Sequence, residues 1–285
     1  MKLFIRALGR EAESRAAALS MSRGGETATL YFGGGTPSML SDTHLGRLME
    51  TLDRLVPVDR LDEFSFEANP ATFTEKKVRF WRSLGMTRVS LGVQSLDSGI
   101  LHLLGREHTP AQALHSVEML KNAGMAHINM DLMFAIPGQT LSIWEATLKE
   151  AVSAGTDHIS AYNLTYEEDT EFFRSLLRGE KRQDPDEDAS FFELAEHMLE
   201  AAGMRHYETS NYAREGCLSP HNMAYWKGED YVGIGPGAVS TINGIRYSNT
   251  RDTGAYIRST LENGLPLSEQ EPVTCLLYTS PSPRD

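Results

Sequence analysis

The chain alternates helix-like stretches with short runs rich in β-branched and aromatic residues. Gly85, Gly124, Gly155 and Gly203 each follow a helix-like stretch, where glycine suits the left-handed position that closes a helix. A strand-like run comes soon after each of these glycines, and two further runs lie earlier in the chain. The predicted strands are Ala28–Gly33, Glu63–Asn69, Arg88–Gln94, His127–Phe134, His158–Thr165 and Arg205–Tyr212.

Helix starts are also marked in the sequence. Thr109-Pro110 places a capping side chain before a proline at the first helical position, and Ser142 with Glu145 predicts a capping box. A predicted helix over Ala189–Ala202 follows Arg178–Asp188, which we interpret as a solvated connection. Strands that alternate with helices at this spacing predict an α/β fold with a parallel sheet. The number of strands favours a partial β/α barrel over the alternative, an open doubly wound sheet.

Each predicted strand ends in glycine or in polar residues. Ligands of parallel β/α folds bind beyond the carboxyl ends of the strands, so these ends together indicate one site on one rim. The ends are Gly33-Gly34-Gly35-Thr36-Pro37, Glu67-Ala68-Asn69-Pro70, Gln94-Ser95, Asp131, Tyr162-Asn163 and Glu208-Thr209-Ser210.

The run Gly33-Gly34-Gly35 has no side chains, so its backbone N–H and C=O groups can touch a ligand directly. It is not a P-loop, because no Gly-Lys-Ser/Thr follows. It is not a dinucleotide fingerprint either, because Pro37 stands where the third glycine would allow the helix to pack. A tight βα turn without a ligand is the alternative interpretation.

Three charged residues near the same rim each carry two interpretations. Asp131 lies in an apolar run, where a carboxylate needs hydrogen-bond partners or a cation, so it is either structural or ligand-binding. The same alternatives apply to Glu67. Arg106 either reaches the rim or is an ordinary surface residue. A barrel lyase or isomerase that uses Glu67 and Asp131 as acid and base is a further interpretation.

His221-Asn222-Met223-Ala224-Tyr225-Trp226 combines an imidazole, an amide and two aromatic rings. These groups are suited to flank a flat ring or to ligate heme iron. The alternative is a buried aromatic corner in which His221 is hydrogen-bonded. Cys217 has no second cysteine nearby, so we interpret it as a structural or inert residue.

Composition narrows the partners and the compartment. A formal net charge of −12 at pH 7 argues against nucleic acid and against an anionic membrane surface. No apolar run approaches the roughly 18–20 residues that span a bilayer. Lys2 and Arg6 bring charge too early for a signal-peptide core. We therefore expect a cytoplasmic protein.

Several short motifs, taken in order, are more specific than generic strand ends. They are GGGTP, EANP, GVQS, LGREH, DLMFAIPGQT, YETSNYA, HNMAYW and YVGIGPGA. The chain resembles the radical S-adenosylmethionine (SAM) family of oxygen-independent coproporphyrinogen III oxidases. Its HNxxYW block is similar to that of the HemW branch, the heme-chaperone relatives. The resemblance covers Met1–Thr274.

The resemblance implies a partial (β/α)6-type radical SAM barrel over residues 1–240 and the start of a C-terminal region over residues 241–274. It implies SAM, a [4Fe–4S] cluster and heme as cofactors. The residues that it assigns to SAM are Gly33, Gly34, Gly35, Thr36 and Glu67. Three further residues match family positions that contact SAM, and some of those positions contact a second SAM molecule. They are Gln94, Arg106 and Asp131. It makes His221 the candidate heme ligand.

The resemblance also implies two functions. The first is heme binding and delivery to heme-acceptor proteins, with weak contact to membrane proteins. The alternative is the oxidase reaction, in which a 5′-deoxyadenosyl radical starts the oxidative decarboxylation of coproporphyrinogen III to protoporphyrinogen IX. Heme or a porphyrinogen is the expected ligand in either case, and neither function fixes an oligomeric state.

The chain departs from the family in one respect. Family members carry a CxxxCxxC loop whose thiolates hold the cluster, and this sequence contains no such motif. We therefore expect that the first strand and the cysteine loop are missing and that the chain as given holds no cluster and is inactive. Residues 275–285 resemble the in-frame translation of a transposase sequencing adaptor, so we expect a non-native tail there.

Overall fold

The alternating pattern builds a sheet of seven strands. A computed structural model describes residues 1–21, 28–164, 185–263 and 265–273. The strands of this sheet are β1 (Thr29–Phe32), β2 (Glu63–Ala68), β3 (Arg88–Gln94), β4 (His127–Phe134), β5 (His158–Asn163), β6 (Arg205–His206) and β7 (Asn211–Ala213). The bounds predicted for β3 and β4 are confirmed to the residue. The predicted tail over residues 275–285 lies outside the described residues.

Helices follow the strands as the spacing predicts. They are α1 (Lys2–Ser14), α2 (Ala16–Met21), α3 (Asp42–Leu52), α4 (Glu75–Ser83), α5 (Ser98–Leu103), α6 (Pro110–Asn122), α7 (Leu141–Ser153), α8 (Pro185–Ala201), α9 (Pro220–Trp226) and α10 (Thr253–Asn263). None of the described helices is both long enough and apolar enough to span a bilayer.

Strand order decides between the two predicted architectures. The order is β1-β2-β3-β4-β5-β7-β6, and the pairs β2–β3, β3–β4 and β4–β5 are parallel. From β1 to β5 each strand therefore lies beside the one that precedes it in the chain. A doubly wound sheet requires a point at which the order reverses, and this part of the sheet has none. The order confirms barrel-type winding.

The prediction of one strand over Arg205–Tyr212 was wrong. The segment forms a hairpin, because the polar residues Glu208-Thr209-Ser210 lie in a turn closed by a 3.2 Å hydrogen bond from Tyr207 N to Asn211 O. β7 pairs antiparallel with both β5 and β6. The Glu208-Thr209-Ser210 cluster therefore does not follow the carboxyl end of a parallel strand. The prediction for β5 extended to Thr165, which lies outside the described residues.

Capping was predicted correctly for one helix and wrongly for another. Thr109 and Gln112 form a complete capping box at the start of α6. At α7 the cap is Thr140, whose hydroxyl accepts from Ile143 N, because the helix already includes Ser142 in its first turn.

α8 begins four residues earlier than the predicted Ala189, at Pro185, so the predicted connection contributes to the helix. Its first turn contains Asp186, Glu187 and Asp188, and carboxylates interact favourably with the positive end of the helix dipole. The rest of the predicted connection, up to residue 184, lies outside the described residues.

The chain divides into two compact units. The second consists of Phe32–Met39 and Ser65–Ser219, and the first gathers the described parts of Met1–Tyr31, Leu40–Phe64 and Pro220–Asp285. The first unit contains an antiparallel sheet in the order β10-β9-β8, formed by β8 (Val239–Ile242), β9 (Ile245–Asn249) and β10 (Leu267–Pro272). The domain division predicted at residue 240 stays a prediction.

A fully buried carboxylate holds the first unit together. Glu11 on α1 is 0% exposed, and its Oε1 accepts from Arg15 Nε at 2.9 Å and from Asn249 Nδ2 at 2.7 Å. Its Oε2 accepts from Gly235 N at 2.9 Å and from the Tyr256 hydroxyl at 2.7 Å. Burial, together with the Glu11 carboxylate, raises the pKa of Tyr256. One side chain thereby links α1 to β9, to α10 and to the loop at Gly235.

Candidate functional site

The glycine run after β1 is exposed and adopts a conformation that favours glycine. Gly34 and Gly35 have φ angles of +71° and +76°, in the left-handed region. A Cβ atom at either position would meet nothing within 4 Å, so the space beside this backbone is open. Gly34 N donates to Glu67 Oε2 at 3.0 Å. The structure thus brings together two of the predicted site segments, the glycine run and the end of β2.

Asn69 fixes the glycine loop against the segment that follows β2. Its side-chain Nδ2 donates to Thr36 Oγ1, and its backbone N donates to Ser38 Oγ, both at 3.3 Å. Thr72 Oγ1 donates to Asn69 O at 2.7 Å, so the 2.7 Å contact between Ser38 Oγ and Thr72 Oγ1 has Ser38 as the donor. Lys77 Nζ also donates to Ser38 O. This framework orients the loop before any ligand is bound.

Strand pairing places polar residues in two rows on one face of the sheet. Residues two apart on a strand share a face, and the parallel register aligns those of neighbouring strands. The first row is Glu67, Ser90, Asn129 and His158, and the second is Gly92, Asp131, Ser160 and Asn211.

Asp131 lies in the second row with protein partners on both carboxylate oxygens. Ser90 Oγ donates to its Oδ2 at 2.8 Å, and Asn129 Nδ2 donates to its Oδ1 at 2.7 Å. Burial lowers the pKa of the half-buried Arg106, and the negative charge of Asp131 opposes that shift. Arg106 is therefore within electrostatic reach of Asp131 rather than an isolated surface residue.

The buried network around Asn129 fixes the tautomer of His158. An ionised Asp131 only accepts hydrogen bonds, so the Asn129 amide must point its NH2 group towards it. Asn129 Oδ1 is then the atom 2.7 Å from His158 Nδ1, which must carry the proton. His158 Nε2 consequently accepts from the Tyr207 hydroxyl at 2.8 Å. His158 is 1% exposed, so this chain of hydrogen bonds lies in the core.

Gln94 ends β3 in a backbone conformation that side chains rarely adopt. Its φ is +68°, and the pairing of β3 with β4 shifts register between Gly92 and Gln94, as in a β-bulge. A Cβ atom on Gly92 would lie 3.0 Å from Asn69 Oδ1 and 3.3 Å from Gln94 Nε2. Gly92 therefore leaves room for both amides. Bulges of this kind re-aim side chains beside functional sites.

His221 lies in the first unit, at the start of α9. Its Nδ1 is 2.8 Å from Thr29 Oγ1, and its ring stacks on Tyr31 with centroids 4.7 Å apart and planes 5° from parallel. Tyr225 contacts the ring edge-on at 5.1 Å. The ring is half-buried, so the predicted hydrogen bond and aromatic neighbours are present without full burial.

The site contains residues that the sequence did not single out. Asn69 was noted only as part of a strand end, and Ser90, Gly92, Asn129 and His158 were given no role in a site. These residues share one signal, which is polar or glycine character at alternate positions of adjacent buried strands. That signal becomes readable only when the register between the strands is known.

The donor atoms at the glycine rim fit SAM, whereas the described residues do not fit a [4Fe–4S] cluster. Open glycine backbone beside a carboxylate suits the amino-acid head of SAM, whose ammonium group needs acceptors and whose carboxylate needs N–H donors. A [4Fe–4S] cluster needs several thiolates. The described residues contain one cysteine, Cys217, which lies beside His127 at the amino-terminal end of β4 and so away from the carboxyl-end rim. These residues do not fit a cluster.

Comparison with known proteins agrees with the fold. The family model of the Radical SAM superfamily matches residues 10–151. The chain is 36% identical over 248 residues to the heme chaperone HemW of Bacillus subtilis, which covers 86% of this chain and 65% of that protein. It is 37% identical over 232 residues to the heme chaperone HemW of Lactococcus lactis, which covers 81% of this chain and 61% of that protein. The chain thus spans less than two thirds of both relatives.

The fold is also similar to that of a solved structure. The coproporphyrinogen III oxidase HemN of Escherichia coli matches with a TM-score of 0.79 at 22% identity, over 95% of this chain and 64% of that one. At this identity the likeness concerns the fold alone.

Proposed function

This chain belongs to the radical SAM superfamily and resembles its HemW branch, and on that premise we propose that it binds SAM at the glycine rim and binds heme through His221. The proposed role is delivery of heme to acceptor proteins. The observation that carries the heme assignment is the His221 ring, held by Thr29 and flanked by Tyr31 and Tyr225. The relatives named heme chaperones support the same role.

The SAM proposal rests on the contact between Gly34 and Glu67. When bound, SAM supplies a sulfonium-bearing methionyl group with an ammonium and a carboxylate. In our proposal, Gly33, Gly34, Gly35 and Thr36 line the methionyl group, and Glu67 accepts from its ammonium. Gln94, Arg106 and Asp131 complete the rim in this proposal. The missing thiolates mean that we assign no radical step to these residues.

The heme proposal rests on the chemistry of the His221 ring. When Nδ1–H donates to Thr29 Oγ1, the lone pair required for iron ligation lies on Nε2. A hydrogen-bonded second nitrogen fixes the ring orientation of a ligating histidine. The tyrosine rings add apolar area suited to a planar macrocycle. A porphyrinogen has no iron to ligate, so the ligand that matches this imidazole is heme.

We predict that Glu67→Gln weakens SAM binding roughly 10- to 100-fold. A hydrogen bond to a charged group contributes about 1.5–3 kcal/mol, and about 1.4 kcal/mol corresponds to a tenfold change in affinity. Isothermal titration of the full chain with SAM measures the effect. Glu75→Gln is the matched control, because Glu75 pairs with Arg79 on the exposed surface of α4. Equal affinities of Glu67→Gln and parent would contradict the assignment.

We predict that His221→Ala abolishes the Soret shift that accompanies heme binding by the parent chain. Thr29→Val should weaken heme binding less, because it removes only the partner of Nδ1. His115→Ala is the control, since the His115 side chain is 67% exposed on α6. Absorption titration with hemin measures all four proteins. If His221→Ala gave the same Soret shift as the parent chain, the heme assignment would be wrong, and the SAM proposal would be unaffected.

A further inference from the structure

Three side chains with metal-binding atoms converge at the amino-terminal ends of β4 and β5. His127, Asp157 and Cys217 each offer one ligand atom, and these atoms lie within 4.8 Å of one another. His127 Nδ1 is 2.7 Å from Asp157 Oδ2. His127 precedes Asp131 by four residues on β4, which corresponds to about 13 Å along the strand. The cluster is therefore separate from the proposed SAM rim.

Hydrogen bonds hold the Asp157 side chain and the loop that carries Cys217 in place. Ile128 N donates to Asp157 Oδ1 at 2.8 Å, which leaves the other carboxylate oxygen directed at His127. Arg88 donates to the carbonyl oxygens of Cys217 and Leu218, both at 3.0 Å.

The loop that carries Cys217 has two further backbone anchors. Arg214 N donates to Asp157 O at 2.9 Å, and Cys217 N donates to Arg214 O at 3.0 Å. The three ligand atoms are thus presented by β4, by the residue before β5 and by a fixed loop. The three side chains are therefore already close together, which lowers the ordering cost of metal binding.

Burial and neighbouring groups shift the pKa values of Asp157 and Cys217 in opposite directions. Burial raises the pKa of Asp157, but the hydrogen bonds from His127 and Ile128 together with the charges of His127 and Arg88 outweigh it, so the pKa lies below its ordinary value. Burial and the nearby Asp157 raise the pKa of the Cys217 thiol, while Arg88 and Arg214 lower it.

We propose that His127, Asp157 and Cys217 form a three-ligand zinc site with an open fourth position for water. Thiolate, imidazole and carboxylate are the donors that zinc takes in tetrahedral sites, and the two anionic ligands neutralise the ion. Magnesium and calcium prefer oxygen ligands, so the Cys217 thiolate makes them a poor match for this site.

The spacing and the access of the cluster suit zinc as well. Tetrahedral bonds to zinc place the ligand atoms roughly 3.3–3.8 Å apart. All three ligand atoms lie within 4.8 Å of one another, and the 2.7 Å hydrogen bond between His127 Nδ1 and Asp157 Oδ2 lengthens when an ion enters. The side chains of His127 and Asp157 are 33% and 21% exposed, so an ion can enter from solvent.

Titration of the metal-free full chain tests the proposal, with zinc for affinity and cobalt(II) as the spectroscopic probe. We expect one ion per chain and a thiolate-to-cobalt charge-transfer band. Cys217→Ser should remove that band and weaken zinc binding by roughly 100-fold or more, beyond the 10- to 100-fold typical of an outer-shell change. A far-UV circular dichroism spectrum equal to that of the parent verifies that the variant is folded.

Two matched variants guard against other sources of metal binding. Cys275→Ser removes the second cysteine of the chain, and His115→Asn removes an exposed histidine that lies 3.4 Å from Glu118. Both should keep the cobalt band and the zinc affinity of the parent. A parent spectrum without a thiolate band, or a band that disappears with Cys275→Ser, would overturn the proposal. SAM and heme titrations report on other residues and are independent of this outcome.

Discussion

Replacing Glu11 with alanine is expected to lower the free energy of unfolding by about 3–5 kcal/mol, the cost of removing one partner from a buried ion pair. The Arg15 guanidinium, 7% exposed in the structure, would keep its charge without its carboxylate. Gly235 N and the Tyr256 hydroxyl would also lose their acceptor in the core. Several groups are left unpaired by one substitution, so the effect is large.

Urea unfolding followed by circular dichroism measures the loss. Glu13→Ala is the matched control on the same helix, because the Glu13 carboxylate is 47% exposed and lies 3.7 Å from Arg10. A surface pair of this kind contributes at most about 1 kcal/mol. If Glu11→Ala cost no more than Glu13→Ala, the buried network would not hold the first unit together.

Replacing Asn129 with alanine is expected to cost about 3 kcal/mol. The Asn129 amide is 4% exposed and bridges Ser90, Asp131, Ser160 and His158. Each buried polar group left without its partner costs about 1–3 kcal/mol, and some of that loss is regained where water enters the space.

Unfolding in urea gives the energy, and nitrogen NMR of the histidine rings gives a second measurement. The parent should show His158 as the neutral tautomer with its proton on Nδ1, and Asn129→Ala should lose that fixed state because Oδ1 no longer accepts from the ring. Asn122→Ala is the control, since Asn122 is exposed at the end of α6. A fixed Nδ1–H tautomer in the Asn129 variant would contradict the assigned hydrogen-bond directions.

Local signals in the sequence predicted the parallel strands well. β3 and β4 lie in the protein interior, and their apolar runs are bounded by glycine and polar residues, so their ends were readable. The hairpin of β6 and β7 was missed because its turn carries no glycine and the run reads as one strand. The start of α7 was displaced because Thr140 and Ser142 are equally good caps in sequence.

Long-range contacts were beyond prediction from local patterns. Glu11 meets Gly235 and Tyr256 across 224 and 245 residues of sequence, so no spacing rule connects them. The proximity of Cys217 to His127 and Asp157 was unreadable for the same reason, because the three residues are distant in sequence and the fold brings them together. Gly34 and Glu67 could be expected to meet, since the ends of neighbouring parallel strands share one rim.

The first unit draws on both ends of the described chain, and this has a consequence for its synthesis. Glu11 leaves the ribosome 245 residues before Tyr256, which at about 5–20 residues per second is a delay of roughly 12–50 s. During that interval α1 has neither α10 nor β9 to pack against. The parallel strands emerge before α10 and β9 and can already pair in order. Cotranslational folding is therefore expected to begin with the parallel strands, and α1 is expected to pack late.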